Sequence, residues 1–416
     1  MFKGIPVKEI NIRKAFIYIN MLCLFIFSVQ LFQAPDIKSL IWVLVMWFYI
    51  IITTRENILD IKAVLLLVGM CLHAWMFGRY NDQFTNGELI ELAVVPFLAY
   101  IGGKLLVAFQ DKDNFARNVR GLVLITGFGI TIHATLNYMN YLESGFVIEA
   151  GKRWLDYWTQ IPLYATEHSF YGAMMGGLLF YACHEIVKRH FHGIFVLLGV
   201  LWVNYINIQV MNRMVFAITI VVFLLDLILY IFLVRKDKRQ LKIIVAIVCV
   251  LAAAVAAVLL LDVGQIRETA FYSALLNRDG GIINNVRFQI YWTVLKQLIP
   301  CWQGGMQMDL MRFYNAHNFW LQTAYVSGII PFICLALYTL WNFFDIARLI
   351  TSKDIDISSK LLLFSAYIGL FCYFMTEQGG NGTADYIMYF TLIGGIISQT
   401  VKRLKMEARN EHITDS

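Results

Sequence analysis

Charge is scarce in this chain of 416 residues: Asp, Glu, Lys and Arg together make up 15% of it, against about 25% in an ordinary soluble domain. Hydrophobic residues reach 59% and the mean hydropathy is +0.64, a surplus that one buried core cannot absorb. Paired cysteines are missing as well. Cys23, Cys71, Cys183, Cys249, Cys334 and Cys372 lie inside apolar blocks, Cys301 alone falls in a polar segment, and there is no C-x-x-C spacing; they read as small apolar residues of a core. No small-residue cleavage site follows the first apolar block, which is therefore expected to remain as a helix. No internal or inverted repeat is visible, which speaks against a carrier built from two halves. These absences exclude a soluble enzyme, a disordered chain and a disulfide-stapled secreted module.

What is present is a series of long apolar blocks. A membrane-spanning helix needs roughly 20 such residues, and about twelve candidates occur, near 15–33, 39–54, 62–79, 88–109, 119–139, 168–187, 191–210, 213–234, 241–262, 319–345, 360–377 and 383–400. The second and the last are short. The expected fold is all-α: residues 1–416 form a single polytopic membrane bundle of about twelve helices. Orientation follows from Lys and Arg in short loops. With the N-terminus inside, the cytoplasmic segments collect Lys8, Arg13, Lys14, Arg55, Lys62, Arg117, Arg120, Lys188, Arg189, Arg235, Lys236, Lys238, Arg348, Lys353 and Lys402, whereas the short outside loops hold only Lys38, Arg79, Lys152, Arg153 and Arg213. Both termini are expected in the cytoplasm. The net charge of +6 is then a topology signal and implies no nucleic-acid partner.

Two outside segments are long. Residues 140–167 carry Trp154, Tyr157 and Trp158 and are expected along the membrane interface. Residues 263–318 form the large loop, with an amphipathic stretch over 286–299 and a turn at Gly304-Gly305. That loop ends in Asn315-Ala316-His317-Asn318, and the tenth block follows at once with Phe319. His317 is therefore expected at the outer membrane surface, where an imidazole titrates near neutral pH and can take a proton from a hydroxyl. Asn318 and the first amides of the following helix face the same place, and helix N-termini favour anions. An interfacial His snorkelling among aromatic residues is the plain alternative. Arginines on the same side add weight: Arg213 opens a span after a very short loop, Arg287 lies one turn before Tyr291 and Trp292, and Arg278 and Arg312 flank it. Guanidinium groups there suit bidentate phosphate binding. Headgroup anchoring explains any one of them, but explains less well an Arg where the topology rule disfavours positive charge.

The run His317-Asn318, nine residues, then Gly328 resembles the His-Asn motif of bacterial O-antigen ligases and of the related O-antigen and capsule polymerases. Asn212-Arg213 at the start of a span resembles that superfamily's arginine, and Asn285 to Trp292 with Pro300 and Gly304-Gly305 resembles its arginine–aromatic–Pro–Gly segment. The resemblance in layout covers the whole chain, and in motif about residues 205–331. It implies glycosyl transfer from a polyprenyl-diphosphate-linked saccharide on the outer face of the bacterial inner membrane, without cofactor or metal. His317 would be the catalytic residue, Arg213, Arg287 and Asn318 the diphosphate contacts, and membrane lipids, a chain-length regulator and a flippase the partners. Ala217 and Pro331 depart from the ligase pattern, and with the modest loop they favour a polymerase over a ligase.

Other polar residues rank lower. Arg278, Arg312, Glu167, His168 and Glu377 are candidates for substrate contact, with capping and solvation as the alternative. Asp226, His73 and His133 are expensive in lipid and should face the protein interior, without an assigned role. Asp111/Asp113 and Asp354/Asp356 read as solvated charge on cytoplasmic loops, and His190 and His192, at a cytoplasmic helix end, are assigned no metal. The rivals are a lipid-linked oligosaccharide flippase, which should place charge near the midplane, and an acyltransferase.

Overall fold

The structure, a computed structural model, describes residues 7–31, 44–45, 59–80, 84–108, 115–144, 153–158, 160, 162–210, 212–234, 242, 286–310, 315–377 and 384–414. Apart from residues 44–45 and 242, the expected spans near 39–54 and 241–262 lie outside the described residues, as do the loop up to residue 285 with Arg278, and Arg312.

The helices are α1 (Val7–Val29), α2 (Ile61–Tyr80), α3 (Asn86–Ala108), α4 (Phe115–Ser144), α5 (Ala165–Gly177), α6 (Leu179–Val187), α7 (His192–Gln209), α8 (Met214–Val234), α9 (Val286–Gln297), α10 (Phe319–Ser327), α11 (Ile329–Thr351), α12 (Ile357–Thr376) and α13 (Ala384–Thr414). Among the described residues, seven helices are long and apolar enough to cross a membrane: α2, α3, α4, α7, α8, α11 and α12. The chain is thus a helical protein with the makings of several membrane spans.

Four expectations change. The first block contributes an apolar helical stretch of only Ala15–Val29. The sixth is not one helix: α5 ends at Gly177, Leu178 sits at φ −81, ψ 9, and α6 restarts with nine residues. The twelfth forms the first half of α13, but Thr391, Ser398, Gln399 and Thr400 interrupt its apolar run, and all four are buried. Finally, the all-α expectation gains an exception, a small hairpin within the segment 140–167. Arg153–Leu155 (β1) pairs antiparallel with Pro162–Tyr164 (β2), Trp154 opposite Leu163, and Asn137 and Asn140 side chains hold its turn through Tyr157 N and Leu155 O.

The chain divides into two compact units. In the unit of residues 1–133, 289–359 and 374–416, α3 and α13 make the most extensive packing. Small residues permit it: a Cβ on Gly103 would meet Leu392 O at 2.2 Å, and one on Gly395 would meet Tyr100 O at 2.1 Å. A charged lattice ties four helices of this unit. Lys62 pairs with Asp345 and donates to Ser398 Oγ at 2.6 Å, Lys104 donates to Asp60 at 2.7 Å, and the Tyr100 hydroxyl donates to Asp60 Oδ2 at 2.9 Å. Lys62 and Lys104 are buried, and buried charge persists only where it is paired and hydrogen-bonded. Burial alone would raise the Asp60 carboxyl, but the hydrogen bond and charge of Lys104 outweigh it and hold the group below the usual carboxylate range.

In the unit of residues 134–288 and 360–373, α5 packs on α7 and α8. Asp226, fully buried in α8, accepts a hydrogen bond from Ser365 Oγ at 2.8 Å, so this costly carboxyl does face the protein. His73 and His133, each buried in the first unit, do the same.

Candidate functional site

The tenth apolar block is continuous in sequence, yet the structure cuts it at Gly328. This residue has φ 86, and a Cβ there would meet Trp302 O at 2.3 Å. Only glycine satisfies both the left-handed backbone and the space. The Gly304-Gly305 turn clasps the same point: Gly305 N donates to Val326 O at 2.8 Å, Met306 N to Tyr325 O at 3.0 Å, and Ile329 N to Trp302 O at 2.8 Å.

α10 therefore is a separate helix of nine residues, every one of them buried. Its direction follows from a single bond. Trp320, near its start, donates from Nε1 to Thr339 Oγ1 at 3.0 Å; Thr339 lies ten residues beyond Ile329, about 15 Å along α11. With Gly328 joining the two helices, α10 lies folded back along α11. The span-length helix begins at Ile329 and not at Phe319, which corrects the expectation that His317 precedes a full span directly. A short helix of this kind is tolerated at membrane depth only when protein covers it, as it does here. Phe319, Phe374 and Phe390 form the cover, with ring centroids 5.2 and 5.4 Å apart.

Folding back carries the start of α10 to the end of α12, and the candidate site forms there. His317 has φ 47, a conformation that non-glycine residues adopt at a cost and that clusters at functional sites. Three contacts hold it. The Tyr291 hydroxyl, from α9, lies 2.7 Å from His317 O and 3.0 Å from Met375 O, placed to donate to either. Asn318 caps α10, accepting from Leu321 N at 3.0 Å, while its amide donates to Met375 O at 3.1 Å. Just before the histidine, Ala316 N donates to Gln322 Oε1 at 2.8 Å.

The side chain of His317 faces Glu377. Nδ1 lies 3.7 Å from Glu377 Oε2, and the carboxylate is 6% exposed against 31% for the imidazole. The distance is that of an ion pair and not of a hydrogen bond, and Nδ1 makes no hydrogen bond. A carboxylate at this place draws Nδ1 inward, so that Nε2 is the nitrogen offered to a reactant.

The remaining sequence candidates fall as follows. Glu377, a candidate for sugar contact, is instead buried beside His317. Asn318, a candidate for the diphosphate, has both groups of its amide engaged in the cap and the tie to Met375. His168 does not open a span toward solvent: it is fully buried, Nδ1 3.4 Å from Asn207 Oδ1 and its ring against Tyr171. Glu167 lies in the first turn of α5. Arg213, half-buried, immediately precedes α8, where Asn212 Oδ1 accepts from Met214 N at 3.0 Å. Arg287 is half-buried on α9, four residues before Tyr291. Tyr291 and Gln322 take positioning roles that the sequence does not assign: Tyr291 stands in it only as part of the arginine–aromatic segment, and nothing in it marks Gln322. Among the described residues, the one group of His, Cys, Asp and Glu close enough to share a metal ion lies elsewhere, after α6. No protein-family model matches the chain, and no curated protein matches its sequence.

Proposed function

We propose that the chain is a polysaccharide polymerase of the bacterial inner membrane. It transfers a glycan from a polyprenyl-diphosphate carrier to a hydroxyl of an acceptor lipid-linked repeat unit on the outer face. The observation that carries this reading is the His317–Glu377 pair: a backbone held in a costly conformation, an imidazole part-exposed, and a buried carboxylate behind it. This is the arrangement of a base oriented by a third group.

In the proposed reaction, Nε2 of His317 takes the proton of the acceptor hydroxyl. The freed oxygen attacks the anomeric carbon, and the bond from that carbon to the diphosphate oxygen breaks. The imidazolium is stabilised by Glu377. Negative charge grows on the departing lipid diphosphate, and the arginine motifs of the sequence name Arg213 and Arg287 as candidates to neutralise it. Asn318 and Tyr291 serve by holding the backbone of His317. The His-Asn and arginine motifs of the sequence support the same assignment, and the helices suited to a membrane agree with a lipid-linked substrate.

The test uses purified full-length protein, a lipid-diphosphate-linked repeat unit and no nucleotide sugar. Wild type should give elongated lipid-linked products. His317→Ala should give none, since positioned general bases contribute about 10²–10⁴-fold, while the variant stays inserted because no packed core is lost. Arg213→Lys should lose most activity although charge is kept, because a point charge does not reproduce bidentate contact. Movement of the saccharide across the bilayer without bond formation would replace the polymerase by a flippase. Transfer only to a different acceptor would make it a ligase.

A further inference from the structure

We infer that Glu185, His190 and His192 form a binding site for a divalent first-row transition metal, of the Zn²⁺ class, at the turn joining α6 to α7. The inference is independent of the proposed reaction.

Local structure creates the cluster. α6 closes with a Schellman motif: Arg189 N donates to Ile186 O at 2.8 Å and His190 N to Glu185 O at 2.9 Å. The left-handed residue that such a motif needs is Arg189, at φ 62, where glycine is usual. This sharp return lays His190 over Glu185, and α7 then starts with His192 on the same side. Nδ1 of His190 lies 2.7 Å and Nε2 of His192 2.8 Å from the same oxygen, Glu185 Oε2. The two imidazoles stand nearly parallel, 20° apart, with centroids 5.6 Å apart. All three ligand atoms lie within 4.8 Å of one another.

Hydrogen bonding alone accounts for part of this. One imidazolium and the carboxylate make a satisfied pair, and a second imidazole can share the oxygen. It does not account for His184. That side chain is 4% exposed, its Nδ1 lies 3.3 Å from Glu185 Oε1, and neither ring nitrogen makes a hydrogen bond. An unsatisfied buried imidazole beside a fully buried carboxylate is costly; His184 is not itself among the three ligand residues, but it adds a third imidazole to those gathered on one carboxylate. Two neutral histidines and one carboxylate suit Zn²⁺ and its neighbours, leaving an open position for water. Bonds of about 2.0–2.2 Å in tetrahedral geometry would set the ligand atoms roughly 3.3 Å apart, so the two nitrogen–oxygen distances to Glu185 need to widen by only about half an ångström. The Tyr181 hydroxyl, 3.2 Å from His192 Nε2, is the neighbour that must swing aside. His190 and His192 are 47% and 31% exposed, which gives the ion its entry path.

The test titrates full-length protein, purified in detergent and stripped with a chelator, with Co²⁺ alone. One equivalent should produce visible d–d bands, and Zn²⁺ should abolish them. His190→Ala and His192→Ala remove partly exposed side chains at a helix end and should leave the fold intact. Each should weaken binding by more than the roughly 10–100-fold that outer-shell changes cost, and Glu185→Gln should do so more strongly. If Glu185→Gln fails to fold, the two histidine variants decide the question. A wild type that gives no saturable Co²⁺ spectrum, or histidine variants that titrate like wild type, would overturn the site.

Discussion

At His317 the backbone conformation costs about 1–2 kcal/mol, and the neighbours show why it endures. Tyr291 holds the carbonyl, Asn318 caps the next helix, and both reach the same carbonyl of Met375. This geometry sets the imidazole against Glu377. Replacing the carboxylate by an amide of the same shape isolates its charge: Glu377→Gln should lower kcat while leaving KM for the lipid-linked donor near wild type, since the donor's diphosphate is assigned to the arginines. A rise in KM with kcat unchanged would return Glu377 to sugar binding. Part of this site is legible in the sequence: His317 and Asn318 stand at the end of a polar loop before an apolar run. Glu377 could be noticed but not partnered, because its nearness to His317 depends on α10 folding back. The burial of His168 is illegible for a related reason: a polar residue at the start of an apolar block reads as exposed, and only the packing of α5 on α7 shows it buried beside Asn207.

Among the elements, the split of the tenth block is the largest departure from what run length suggests. Residues 319–345 read as one predominantly apolar block, and hydropathy does not register a reversal of direction. The signals were Gly328 and, three residues later, Pro331. The break at Leu178 had weaker ones, since Gly176 and Gly177 also serve close packing: a Cβ on Gly177 would meet Ser365 O at 2.8 Å. Gly328 is the point at which to test the fold-back. Gly328→Ala combines a left-handed backbone with a clash against Trp302 O, so the clasp from Gly305 and Met306 must open. Strain alone is about 1–2 kcal/mol, and the clash adds to it. The variant should unfold at lower temperature in detergent and lose polymer formation, because His317 rides on the displaced helix. Gly87→Ala is the control: its Cβ would meet only Thr85 Oγ1, at 3.7 Å, in the first turn of α3. Equal thermal stability of the two variants would show that the clasp does not hold α10.

For the molecule as a whole, charge decides both stability and orientation. Asp60 is held below the usual carboxylate range by Lys104, so it binds protons less readily when folded than when unfolded. Its contribution to stability is complete above its ordinary value of 3.8 and is lost as pH falls through the lower folded value. Asp60→Asn should cost stability at neutral pH and shrink the acid-induced loss that wild type shows below about pH 4; an unchanged acid profile would assign that loss to other carboxyls.

Orientation rests on the lysines and arginines between apolar blocks, a bias that runs along the entire sequence and so resists any single miscounted span. On the orientation proposed from it, the connection between α11 and α12, with Lys353, lies on the cytoplasmic side, and the loop 263–318 opposite. The corrected helices keep this arrangement. α11 alone is long and apolar enough to cross, and α10, lying back along it, adds no crossing, so the charge bias still assigns Ile329 and Thr351, the two ends of α11, to opposite sides. Single cysteines read this out in intact cells, on a chain whose native cysteines are replaced. Ser273→Cys should react with a membrane-impermeant maleimide from outside. Asp354→Cys, at an exposed position just past α11, should react only once the cells are opened. The reverse pattern would put the His317 pair in the cytoplasm and end the case for a lipid-linked saccharide acceptor on the outer face. Reaction of both from outside would mean that α11 does not span, and that the fold-back of α10 belongs to a helix lying on one side of the membrane.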